Sequence, residues 1–90
     1  MDRIFKYNFG PLTPGVKTVT VSNELVSILD FQEQGDNLVM WATVRNNAAE
    51  KTVTIYVAWT GDVAPDWQYV KTIQSSDFLV YHIFLKPETT

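Results

Sequence analysis

Along most of this chain apolar and polar residues alternate one by one, the period of a strand with one buried face. The alternation is cleanest at Lys51–Thr60, where Val53, Ile55, Val57 and Trp59 oppose Thr52, Thr54, Tyr56 and Ala58. Trp59 therefore reads as a core residue. Leu38–Arg45 repeats the pattern, with Leu38, Met40, Ala42 and Val44 on one face and Val39, Trp41, Thr43 and Arg45 on the other. Lys17–Ser22 sets Val19 and Val21 against Thr18 and Thr20, and in Ile4–Phe9 the pair Ile4 and Lys6 opposes Phe5, Tyr7 and Phe9. Leu25–Gln34, Trp67–Gln74 and Phe78–Leu85 complete the predicted strands. No helix-length stretch carries a 3.6-residue period.

Turn chemistry separates these runs: Gly10-Pro11, Pro14-Gly15, Gly35-Asp36-Asn37, Asn46-Asn47, the loop Gly61–Asp66, and Ser75-Ser76-Asp77. Leu25–Arg45 is the clearest hairpin. The pattern predicts an all-β fold, a small antiparallel β-sandwich or partly open barrel of six to seven strands. It forms a single β domain over 1–86 with a frayed tail at 87–90. In the last strand both faces are apolar, Val80, His82 and Phe84 against Leu79, Tyr81, Ile83 and Leu85. Such a strand is no ordinary edge. It is either central or has one face at a subunit boundary.

Composition narrows the partners. A chain of 90 residues supports one core and buries little enough surface that small domains often lean on disulfides, metals or oligomerisation. Cysteine is absent and His82 is the single histidine, so disulfides and a structural zinc site fall away and a homo-oligomer is expected. The net charge of −3 and seven scattered basic residues argue against duplex nucleic acid. No apolar run approaches the roughly 20 residues that span a bilayer, and Met1–Phe5 is not a signal peptide. A soluble, cytoplasmic protein without membrane contact is expected.

Catalytic chemistry finds little purchase. His82 is the natural acid–base candidate, but its strand neighbours are apolar and only folding can bring Asp30 or Asp77 to it. It reads as a hydrogen-bonded structural or interface histidine. Asp62 with Asp66, and Glu33 with Asp36, flank turns and read as caps rather than a calcium loop. Thr60-Gly61-Asp62 reads as a β-turn, with an anion nest as the sharper alternative. No catalytic residue, metal ligand or cofactor is expected. Trp41 shares a face with Arg45, Trp67 opens a strand, and Lys6 lies near the start. A ring beside a cation can hold a base by stacking and a phosphate by charge, or anchor a protein interface.

Four stretches carry a resemblance: Ile4-Phe5-Lys6-Tyr7; Ile28–Gln34 leading to Met40-Trp41-Ala42-Thr43-Val44; Trp59-Thr60-Gly61-Asp62 followed by Pro65; and Tyr69–Gln74 running into Leu79–Phe84. Together they resemble a family of short, largely uncharacterised bacteriophage proteins. That family has an Ile-Trp-Lys-Tyr start, a Leu-Trp-Ala-Leu-Val strand, a Gly-Thr-Gly turn and a Val-Phe-His-Val-Phe end. Phe5, Trp59 and Lys71 depart from it, and Trp59 weakens any anion role for the turn.

The resemblance implies a phage origin and the host bacterial cytoplasm. With the aromatic surplus it points to a non-enzymatic anti-defence sponge, sequestering an immune signal of the cyclic nucleotide or cyclic ADP-ribose type. The expected contacts with this small anionic nucleotide are Lys6, Trp41, Arg45, Trp67, Tyr69 and His82. The alternative is a phage protein–protein interaction module, either a virion accessory or a direct inhibitor of a host defence protein.

Overall fold

The computed structural model describes residues 1–87, so most of the expected tail at 87–90 lies outside the described residues. Seven strands follow one another: β1 (Asp2–Pro11), β2 (Gly15–Val21), β3 (Glu24–Gln34), β4 (Asn37–Arg45), β5 (Lys51–Trp59), β6 (Gln68–Gln74) and β7 (Val80–Leu85). They form a three-stranded sheet, β1-β4-β3, and a four-stranded sheet, β2-β5-β7-β6, with every pair antiparallel. The two sheets pack as an open sandwich rather than a closed barrel.

Most of the core comes from the apolar faces of the alternating strands, and Val39 and Ala58 are buried on the opposite faces as well, at 1% and 3% exposed. Phe31, Leu38, Met40, Val44, Ile55, Val57 and Ile83 are at most 2% exposed and interdigitate between the sheets. Burying one such side chain fully stabilises by about 1.5–3 kcal/mol. β3 and β4 are joined by the predicted hairpin turn, reduced to Gly35-Asp36, because Gln34 and Asn37 already pair. Gly35 holds φ +57 there, the backbone a two-residue turn demands and glycine adopts without cost.

β7 is an interior strand, between β5 and β6. Both neighbours run opposite to it, so residues 60–67 must travel its whole length to link β5 to β6. Eight residues reach at most about 28 Å, enough for the task. The link crosses on the outer side: Thr60 Oγ1 bonds His82 Nε2 at 2.8 Å, and the Trp67 ring meets Tyr56 edge-on at 6.3 Å. One face of β7 lies in the core and the other lies beneath its own crossover. That accounts for two apolar faces without a second subunit.

Two expectations need correction. Trp59 is 45% exposed, its ring leaning on Tyr81 at 6.3 Å. The alternation assigns its face correctly, but Trp59 is the last residue of β5 and has no partner in β2, whose register ends at the Gly15–Val57 pair. The last strand starts at Val80 rather than Phe78. Phe78 and Leu79 belong to a turn closed by Phe78 N donating to Ser75 O (2.9 Å) and Ser75 N donating to Leu79 O (2.8 Å). Phe78 adopts φ +67 with its ring 81% exposed.

Candidate functional site

β3 and β6 are facing edge strands, one from each sheet, and the mouth between them is closed only in part. At its upper end Ser76 N donates to Glu33 Oε1 at 2.8 Å. In the middle Lys71 Nζ donates to Asp30 Oδ1 at 2.6 Å. The Lys71 hydrogen bond, helped by one from Gln32, holds the Asp30 carboxyl below its usual range, against the opposing effect of burial. Below this pair the sheets part.

Two hollows of about 390 and 780 Å³ open there. They share Leu25, Ile28, Lys51, Gln68 and Leu85, so they form one continuous furrow. Volumes of 300–1,000 Å³ are typical of ligand sites. Leu25, Ile28, Val70 and Leu85 give the furrow apolar walls, and each is only half-buried. Charges of both signs stand along it, Glu24, Glu50, Lys51 and Lys86 at the lower end and the Lys71–Asp30 pair above.

The shape of β3 makes this possible. Its register with β4 slips between Leu25 and Ser27 and again between Ile28 and Asp30. Each slip inserts one extra residue, Val26 and then Leu29, as a β-bulge does. Leu25, Ile28 and Phe31 consequently face inward at a spacing of three, opposite Val44, Ala42 and Met40. The inserted Val26 and Leu29 are left 40% and 50% exposed at the rim. β6 slips once as well, between Tyr69 and Lys71. Strict alternation does not reveal the furrow. The visible signal was the crowding of five apolar residues into Leu25–Phe31, more than one strand face can absorb.

The six residues singled out in the sequence divide between two opposite faces of the sandwich. Lys6, Trp41 and Arg45 lie on the outer face of the three-stranded sheet. The register aligns Lys6, Trp41 and Asp30 in one row across it, and Asp2, Arg45 and Glu24 in another. Trp41 thus sits between a cation and an anion. Lys6 Nζ donates to Gln34 Oε1 at 3.0 Å. Arg45 Nε meets Asp2 Oδ1 at 3.1 Å and its terminal nitrogen lies 3.8 Å from Glu24 Oε2; the Asp2 hydrogen bond, before the charges of Asp2 and Glu24, raises its pKa.

Trp67, Tyr69 and His82 lie on the outer face of the other sheet. There Val16, Tyr56, Phe84 and Tyr69 form a row across all four strands, with Tyr69 edge-on to Phe84 at 5.9 Å. His82 joins a chain of hydroxyls: Thr60 at Nε2, Thr72 at Nδ1 (3.0 Å), and Tyr69 to Thr72 (2.8 Å). Neither Asp30 nor Asp77 reaches it. Asp30 is paired with Lys71, and the Ser75 hydroxyl bonds Asp77 and lowers its pKa. None of the six lines the furrow.

The turn at Gly61 is closed from within. Asp62 N donates to Trp59 O at 3.0 Å, and Trp59 N donates to Asp62 Oδ2 at 2.8 Å. The anion at this turn is the chain's own carboxylate. No group of three or more metal-ligating side chains occurs among the described residues, and no described helix is long and apolar enough to cross a membrane. A protein-family model matches the chain over residues 1–90. No curated protein and no solved structure matches it.

Proposed function

The chain belongs to that family, the domain of unknown function DUF7352, and from the geometry we propose a non-enzymatic binding domain that takes an extended, apolar segment of a partner protein into the furrow between β3 and β6. The observation that carries this reading is the furrow itself: apolar walls formed by Leu25, Ile28, Val70 and Leu85, and two exposed aliphatic residues, Val26 and Leu29, on its rim. Extended segments commonly bind beside sheet edges, with alternate side chains filling apolar hollows. The titratable groups one would ask for chemistry are occupied structurally, His82 by two hydroxyls and Asp30 by Lys71. In the phage setting that the sequence resemblance implies, the partner is a host defence protein or a virion component met in the host cytoplasm.

Selection of extended peptides from a random library, followed by amide chemical-shift mapping on the full chain, tests this reading. Selected peptides are expected to share apolar residues at alternate positions, to shift the amides of Leu25, Ile28, Val70 and Leu85, and to lose binding in Leu29→Arg. Peptides that move only the outer faces, or a library that yields none, would remove it.

A second reading is sequestration of an anionic nucleotide signal, a cyclic nucleotide or cyclic ADP-ribose. It is favoured by the row that sets Lys6 beside Trp41. It is weighed down by the bond that already ties Lys6 to Gln34 and by the two carboxylates already on Arg45. Calorimetric titration with such a nucleotide panel decides it. Stacking requires binding that Trp41→Ala abolishes, and no heat from any member of the panel refutes the reading.

A further inference from the structure

The sandwich has four edge strands, β1 and β3 in one sheet and β2 and β6 in the other. Unprotected edges invite pairing with another chain, and proteins blunt them with bulges, charges, proline or a covering element. β3 and β6 are both bulged and face each other across the furrow. The upper part of β1 is blunted too, by the register slip between Asn8 and Pro11. The lower part, Asp2–Asn8, keeps an unbroken register with β4 on one side and, among the described residues, pairs with no strand on the other. It also shows apolar side chains on both faces, Ile4 63% exposed on the outer face and Phe5 43% exposed on the inner. β2 is regular as well, but Val16 is the one large apolar side chain it exposes.

The residues of this bare edge complement themselves. Asp2, Ile4 and Lys6 share the outer face at a spacing of two. We propose that β1 pairs antiparallel with β1 of a second copy about a two-fold axis through Ile4, joining two three-stranded sheets into one of six strands. That register sets Asp2 opposite the partner's Lys6 twice, Ile4 opposite the partner's Ile4, and on the inner face Arg3 opposite the partner's Phe5. Opposite charges directly across two strands stabilise the pair, and a ring facing a guanidinium adds a cation–π contact.

A two-fold axis perpendicular to the sheet keeps outer face with outer face, so alternative registers differ by whole two-residue steps. Moving the axis to Arg3 brings two arginines together. Moving it to Phe5 sets Lys6 against the partner's Ile4 and loses both charge pairs. Arg45 already touches Asp2 from the β4 side, so the partner's Lys6, exchanging its exposed bond to Gln34 for this carboxylate, would complete a row of alternating charge. The pairing buries nothing in the furrow, and it stands or falls independently of the peptide reading above.

Sedimentation of the full chain over roughly 1–100 µM, a range that resolves micromolar dimers, tests the proposal together with three variants. The wild type is expected to shift toward twice its 10.3 kDa mass, with a melting temperature that rises with concentration. Ile4→Lys places like charges on the axis and should leave a monomer. Lys6→Asp alone should weaken the dimer at least tenfold, while Lys6→Asp combined with Asp2→Lys should restore it. Folding is checked by circular dichroism, and the charge swap keeps the test decisive should Ile4→Lys misfold. A wild type that stays monomeric overturns the proposal. So does a dimer that is indifferent to both the Ile4 and Lys6 changes.

Discussion

Phe78 makes an unusual demand on the backbone. At φ +67 it occupies the left-handed region, where Cβ crowds the following carbonyl at a cost of about 1–2 kcal/mol. Its ring is 81% exposed. The covered fifth of a ring of about 200 Å², at ~25 cal/mol/Å², amounts to about 1 kcal/mol at most. Phe78→Ala should lose that packing and keep the strain. Phe78→Gly should lose the same packing but relieve the strain, less about 0.5–1 kcal/mol for glycine's extra freedom in the unfolded chain.

The glycine variant should therefore exceed the alanine variant by about 0.5–1 kcal/mol. At ordinary strand or helix positions the order is reversed by a similar amount. For a domain of this size the difference corresponds to roughly 2–8 °C in melting temperature. Thermal unfolding followed by far-ultraviolet circular dichroism, on dilute samples, measures it directly. Phe78→Asn should fall between the two, since asparagine tolerates this region better than alanine. A glycine variant that melts below the alanine variant would refute the reasoning.

Other outcomes follow from the same geometry. Asp30 is held ionised by Lys71, so its contribution is present above the unfolded carboxyl value of 3.8 and is lost as pH falls through the lower folded value. Because the two side chains are 35% and 33% exposed, Asp30→Asn should cost only about 0.5–1 kcal/mol at pH 7 and progressively less as the pH falls below the unfolded value of 3.8; a loss that does not shrink with falling pH in urea titrations would contradict this. Ile83 is fully buried in the central part of the four-stranded sheet, and Ile83→Ala should cost about 2–5 kcal/mol, a large share of the roughly 5–13 kcal/mol available to 90 residues. Ile4→Ala, at an exposed position, should stay within about 0.5 kcal/mol under dilute conditions, and a comparable loss at both sites would undercut the assignment of the core.

Much of this architecture was written in local pattern. Alternation marked β1, β2, β4 and β5, dense β-branched and aromatic runs between turn signals marked the other three strands, and glycine and asparagine marked the β3–β4 hairpin, because a strand's two faces and a tight turn's dihedrals depend on residues only a few positions apart. The sequence by itself also established that Trp41 and Arg45 share a face and that β7 is apolar on both sides. It did not establish why. Strand order is a long-range property, and the crossover of residues 60–67 both inserts β7 between its neighbours and covers its outer face.

The bulges that open the furrow are equally invisible to a period of two, since they are defined by what lies across the ladder in β4. Trp59 shows the limit most simply: its face was legible, but not that it closes β5 beyond the last pair with β2 and stays 45% exposed. The six aromatic and cationic residues were legible as a surplus. Tertiary structure alone divided them between two outer faces and left the concave surface to aliphatic residues, because a face assignment within one strand says nothing about which sheet that strand joins.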